Sequence, residues 1–363
     1  MRMLSKIAGC GVAALLAVAV AAPALAADLK PVKFGFSGKA ISPIIINILV
    51  AEPLGYFKEE GLTVEAVPLG SNVAVMQSVV AKRVEFGAGT AGFELPILAR
   101  GEQLPLVNFF EFTYPFKYAW AVLPDSPIKS ISDLKGKHLG VSSFGLLEYP
   151  IGQIMLRLFD IDPKKDVNWT AVGAGVTAGV ALEKKSIDAL FYFDTGFGTI
   201  EAAGIKLRYL DNPKNVPEIG GVFLSTHADT IKSDPKLVAA FGRAVSKAEL
   251  FVQTHPDAAA YLFVKTFPQA APKGMPLADQ VKAIAPSIAK RAILYSPFDK
   301  SVTKWGYMRM QEWEEELKFG NFKLTKDQIA HLVDNSLINQ IDDYNKDAIR
   351  KQAKEFPLPY KKQ

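Results

Sequence analysis

Residues 129–145, KSISDLKGKHLGVSSFG, constrain the fold more than any other stretch of this chain. Ser130 or Ser132 can cap a short helical turn, Lys135-Gly136-Lys137 ends it, and His138-Leu139-Gly140-Val141 reads as a short buried strand. Ser142, Ser143, Phe144 and Gly145 follow, and then Ile151, Ile154, Met155 and Leu158 recur at helical spacing. The order is strand, small polar turn, helix. In an open α/β sheet, ligands bind at the carboxyl end of a strand, where such a turn feeds a helix N-terminus. An ordinary βα connection is the plain alternative for the same residues.

The unit occurs again near the start of the chain. Residues 32–36, VKFGF, alternate as a strand and run into Ser37-Gly38, after which Ile41 to Val50 reads as a buried helix with Pro43 in its first turn. Val73, Met76, Val79 and Val80 mark an amphipathic helix, and residues 84–89 a short strand that ends in small residues before Thr90-Ala91-Gly92. Small residues at such a turn let backbone amides approach a ligand, so Ser37, Gly38, Thr90 and Ala91 are candidate contacts. A tight turn without a ligand is the competing reading. With 363 residues, the chain is long enough for two separate cores.

Arg2 and Lys6 precede an apolar run from Val12 to Ala22, and Ala24-Leu25-Ala26 fits an A-x-A cleavage site. We therefore expect a signal peptide over residues 1–26, export, and a periplasmic mature protein. The sole cysteine, Cys10, lies inside that segment and precedes the apolar run instead of closing it, so a mature chain would carry no thiol. Disulfides, cysteine nucleophiles and thiolate metal sites are then excluded. The net charge of +5 is small and dispersed, which argues against a nucleic-acid partner.

Residues 109–120, FFEFTYPFKYAW, place Phe110, Phe112, Tyr114, Phe116, Tyr118 and Trp120 at every second position. One extended strand would put all six rings on one face. Packing is the usual role of such a stripe, but Pro115 interrupts it, and Phe112 and Tyr114 are the rings expected beside a cleft. No H-E-x-x-H, G-x-S-x-G or phosphate-loop pattern occurs, and the four histidines are scattered, so neither a catalytic nor a metal site is expected. Glu312, Glu314, Glu315 and Glu316 read as a solvated helix face, and residues 353–363 as a polar tail.

Several of these segments resemble one family. KSISDLKGKHLGV, GYFKEEGLTVE at 55–65, VEFGAGTAG with Glu85 where aspartate is usual, KKSIDALFYFDTGFG at 184–198 and GGVFL at 220–224 are similar to segments of periplasmic solute-binding proteins of ABC transporters. The likeness is to the group that binds nitrate, alkanesulfonates, taurine and thiamine-pyrimidine precursors. Ser186 stands where a glycine is common, and the turn after Asp194 lacks the family's proline. The resemblance implies an α/β, two-lobed periplasmic binding protein fold (type II), each lobe a mostly parallel sheet flanked by helices around a shared cleft. It implies lobe one at 28–115, an inserted lobe two at 116–219, and a return to lobe one with C-terminal helices at 220–363.

It further implies ligand contacts from the strand-end turns: Ser142, Ser143, Phe144 and Tyr149 on one unit, and Tyr192, Asp194 and Thr195 on another. A helix cap is the plain alternative for Asp194. The expected function is that of a monomeric solute-binding component of an importer. It would capture a sulfonate, aromatic acid or heteroaromatic such as a pyrimidine, and deliver it to a membrane permease with its ATPase. A ligand-presenting adaptor for a membrane sensor is the alternative. A thiamine-pyrimidine-synthesising enzyme is disfavoured because the C-C-C-F-C segment of such relatives is missing, so no cofactor is expected. Lys39 and Lys117 are possible counter-charges, with ordinary surface lysines as the alternative.

Overall fold

The computed structural model describes residues 29–115, 117–211, 219–295 and 303–362. The expected signal peptide and Phe116 lie outside the described residues. Ten strands are seen among them: β1 (Lys30–Phe36), β2 (Leu62–Pro68), β3 (Phe86–Gly89), β4 (Leu106–Thr113), β5 (Tyr118–Val122), β6 (His138–Val141), β7 (Asn168–Ala171), β8 (Ala189–Phe193), β9 (Arg208–Tyr209) and β10 (Val222–His227). They form two five-stranded sheets of order β2-β1-β3-β10-β4 and β7-β6-β8-β5-β9.

The sheets follow one plan. Each has a parallel run of three, β2-β1-β3 or β7-β6-β8, followed by two antiparallel pairings, through β10 in the first sheet and β5 in the second. The fold is the expected two-lobed α/β architecture, although each sheet is mixed. The chain passes from the first sheet to the second between Thr113 and Tyr118, and β10 brings it back into the first sheet.

That passage falls where Pro115 interrupts the aromatic run. Phe110 and Phe112 belong to β4 and Tyr118 and Trp120 to β5, so the rings serve two sheets instead of one six-ring face. The Tyr114–Pro115 peptide between them is cis. Phe112 packs against Phe34 in the first core, and Trp120 against Phe191 at 4.7 Å between centroids in the second.

Local signals hold where the chemistry is local. Ser130 and Asp133 form a reciprocal capping box on Ile131–Leu134, Gly136 and Gly61 take positive φ at their turns, and Asp234 caps the helix Pro235–Thr254 by accepting from Leu237 N. That twenty-residue helix lays Phe241 against Phe86 at 4.1 Å and anchors the first core. The expected polar tail is instead docked: Phe356 meets Phe251 edge-on and Tyr360 stacks on Tyr261. Among the described residues no helix is long and apolar enough to cross a membrane.

Candidate functional site

A cavity of about 40 Å³, room for roughly three water molecules, lies between the two sheets. Its walls come from the carboxyl ends of β1 (Phe36, Ser37), β3 (Ala88, Thr90), β4 (Phe112) and β8 (Phe193), and from Lys117 and Tyr118 at the start of β5. Ile44, Ile45, Asn72, Leu146, Leu147, Glu148, Val222 and Arg291 complete it. Both sheets thus present to one space the strand ends at which α/β folds bind ligands. Aromatic and aliphatic side chains dominate the lining, with a few polar groups among them.

The wall is locked by charge. Arg291, on the helix Leu277–Ala292, donates from Nε and Nη2 to the two oxygens of Asp194 at 2.6 and 2.8 Å, and from Nη1 to the Ile44 carbonyl at 2.7 Å. Asp194 opens the helix Asp194–Ala202 that follows β8, so this bidentate pair bridges elements of the two sheets. The helices themselves touch closely. Ser287 Oγ donates to the Thr195 carbonyl at 2.8 Å, and a Cβ on Gly198 would come within 2.5 Å of Ser287 Cα. Glycine is what permits that approach.

Glu148 sits in the first turn of the helix Glu148–Arg157 and turns back onto the loop after β6. Its Oε1 accepts from Ser142 N at 2.6 Å and Ser143 N at 3.3 Å, and also from Ser142 Oγ. Burial, opposed by these bonds and by the Lys117 charge, raises its pKa to about 7. Lys117 moves the other way: burial, and then the neighbouring Arg291, lower its pKa to about 7 against the pull of Asp194 and Glu148. Its backbone carbonyl accepts from Asp194 N at 3.2 Å, which ties it to the start of the bridging helix.

Of the residues expected at the site, the structure brings Ser37, Thr90 and Phe112 together on the cavity wall. The others lie elsewhere. Gly38 holds the turn through its carbonyl, which accepts from Gly70 N, and Ala91 is buried in the core beneath. Tyr114 packs under the Arg309 guanidinium, 4.6 Å from its ring. Ser142 and Ser143 direct their amides to Glu148, while Phe144 is 49% exposed against Tyr149, which meets Trp169 edge-on. Tyr192 is fully buried, its hydroxyl accepting from Gly175 N at 2.8 Å, and Thr195 is held by Ser287 and Thr199. Asp194 neither caps its helix nor faces the cavity; it pairs with Arg291.

Arg291, Glu148 and Asn72 are lining residues that local reading passes over. Arg291 has one sequence mark: it continues the buried stripe Val281, Ile284, Ile288 at helical spacing, where a charge is out of place. Glu148 stands six residues after Ser142, in a first turn where any acid looks like an ordinary helix start. Among the described residues no three His, Cys, Asp or Glu side chains converge as metal ligands.

Comparison with known proteins gives the same architecture. The aliphatic sulphonate binding protein SsuA of Escherichia coli superposes with a TM-score of 0.60 at 16% identity, covering 85% of this chain and 91% of its own. The nitrate-binding protein NrtA of Synechocystis PCC 6803 gives 0.60 at 11% identity, covering 91% and 99%. The desulfurization enzyme DSZB gives 0.52 at 13% identity, covering 89% and 98%. In sequence, a protein of Haemophilus influenzae named for thiamine biosynthesis is 26% identical over 235 residues, 63% of this chain and 71% of its own length. The profile of the family described as NMT1/THI5 like matches residues 42–259, more than half of the sequence, and the chain belongs to that family.

Proposed function

We propose that this protein is the periplasmic solute-binding component of an ABC importer, which captures a small organic ligand between its lobes and delivers it to a membrane permease. We place the first lobe at 28–115 and 220–363 and the second at 116–219. The observation that carries the reading is the cavity itself, walled by strand ends of both sheets and by Arg291, which pairs with Asp194 behind that wall. A ligand held there touches both lobes at once, so the closed form gains contacts that an open form lacks. SsuA and NrtA, which share the fold, are named for binding a sulphonate and nitrate.

Catalysis is the weaker reading, although DSZB shows that an enzyme can have this fold. None of the four histidines lines the cavity, so the Ser37 and Thr90 hydroxyls have no imidazole beside them there to act as base. Thermal denaturation of the purified protein against sulfonates, aromatic acids, pyrimidines, flavins and nitrate tests the proposal. A ligand at 100 times its dissociation constant stabilises by about 2.7 kcal/mol. We expect at least one compound to raise the melting temperature, and Phe112→Ala or Thr90→Val to reduce the rise. Absence of any shift, with a membrane partner still bound, would favour a sensor-adaptor role.

A further inference from the structure

Three charged side chains line the cavity, and two of them are already engaged. Arg291 has both oxygens of Asp194 and the Ile44 carbonyl as acceptors. Glu148 has the Ser142 and Ser143 turn as donors. Lys117 is left over. It is 9% exposed, and among the described residues no carboxylate or carbonyl is within hydrogen-bond reach of its ammonium, which stands 5.5 Å from the Tyr118 ring centroid. Burying a cation without a partner works against folding. A residue that does so while facing a cavity is accounted for by what the cavity holds.

Facing the same space are three more side chains with no hydrogen bond among the described residues: Ser37, Asn72 and Thr90. They stand at the end of β1, at the start of the helix Asn72–Val80 and at the end of β3, all on the first sheet's side, whereas Lys117 leads into the second sheet. Each can donate. One ammonium, two hydroxyls and one amide make a donor set for a group with several acceptor oxygens and a single negative charge. Phe36, Phe112, Tyr118 and Phe193 supply the apolar surround. The narrow, ring-lined space favours a planar head over a tetrahedral one.

We propose that the solute is a small monocarboxylate, that Lys117 binds its anionic head together with Ser37, Asn72 and Thr90, and that Lys117 decides specificity. This rests on the solute-binding reading and names the class of solute for that same cavity. A carboxylate held this way joins donors of the two lobes, so ligand charge and lobe closure are linked through one group.

Calorimetry and thermal denaturation with matched pairs test it: benzoate and benzamide, nicotinate and nicotinamide, butyrate and butyramide, with benzenesulfonate beside benzoate. The proteins are wild type, Lys117→Met, Lys117→Arg and Thr90→Val. We expect one carboxylate to bind at least tenfold tighter than its amide, and no less tightly than the sulfonate. Lys117→Met should remove that preference and also raise the melting temperature of the ligand-free protein, because an unpaired buried charge is gone. Lys117→Arg should keep the preference, and Thr90→Val should weaken carboxylate binding with little change in melting. An amide or sulfonate that binds tighter, or a preference that survives in Lys117→Met, overturns the carboxylate assignment and leaves the solute-binding reading standing. If no compound in this set or in the wider panel binds, both fall together.

Discussion

Two regions of this molecule bury charge, and they do so differently. Around the cavity, Arg291 and Asp194 pair bidentately across the lobes, Glu148 is satisfied by its own turn, and Lys117, Ser37, Asn72 and Thr90 face an open space. Behind the first sheet, Glu94, Glu111, Glu312 and Glu316 are buried in one cluster, and the Arg309 guanidinium stands beside Glu111 and pairs with Glu312. There the packing is solid: a Cβ on Gly89 would come within 1.9 Å of Ser225 Oγ and 2.7 Å of Glu94 Oε1. Glu94 accepts from Asn108 at 2.7 Å, and burial, with the neighbouring Glu312 charge adding to it, holds the pKa of Glu111 well above its ordinary value. The first region turns donors toward a cavity; the second crowds carboxylates whose pKa values burial raises.

The largest expected effect breaks the first region. Arg291→Met leaves Asp194 buried and unpaired and should cost about 3–5 kcal/mol in urea denaturation. The double variant with Asp194→Asn should recover most of that loss. If the single variant costs under 1 kcal/mol, the pair is not the bridge described above.

The glutamate cluster should appear in the pH dependence of stability. Burial raises Glu94 to about 7 and Glu316 to about 8, and lifts Glu111 well above its ordinary value, with Glu312 adding to the rise. A carboxyl whose folded pKa is raised gives its full contribution below about 4.5 and loses it as pH climbs through the folded value. Stability should therefore fall between pH 5.5 and pH 8 by more than about 2 kcal/mol, the share that Glu94 carries alone. Lys117, lowered to about 7, acts in the opposite direction above that pH, and Glu148, raised to about 7, adds to the fall. Glu316→Gln should flatten the profile, and a wild-type profile that rises over this range would contradict the assignment.

Smaller effects distinguish packing from rim. Gly198→Ala pushes the Asp194–Ala202 helix off Ser287 and should cost about 1.5 kcal/mol by chemical denaturation, with weaker ligand binding because the lobes no longer seat together. Phe144→Ala removes a ring that is half exposed beside Tyr149, and its melting should match wild type to within about 0.5 kcal/mol.

How much of this was legible in the sequence depends on the range of the interactions. Capping at Ser130 and Asp234, the turns at Gly61 and Gly136 and the strand-turn-helix units are set by neighbours in sequence, and residue types alone point to them. Ser37 and Thr90 reach the cavity because they end such strands, and Phe112 because it stands near the end of β4. The aromatic alternation alone would run through as one strand, and Pro115, which interrupts it, is the local mark of the passage between sheets. Glu312 and Glu316 lie four apart on one helix face, a spacing equally suited to solvent; tertiary packing, which sets Glu94 and Glu111 beside them, buries that face. Arg291 and Asp194 are far apart in sequence, and their pairing follows from how two helices cross.

The most direct test of the central claim is hydrogen–deuterium exchange with and without a saturating ligand found by denaturation screening. Slower exchange is expected together at residues 36–37, 72–76 and 90–94 on the first sheet's side and at 117–120 and 146–150 on the second's. Protection confined to one of these sides, or located away from the cavity, would contradict the claim.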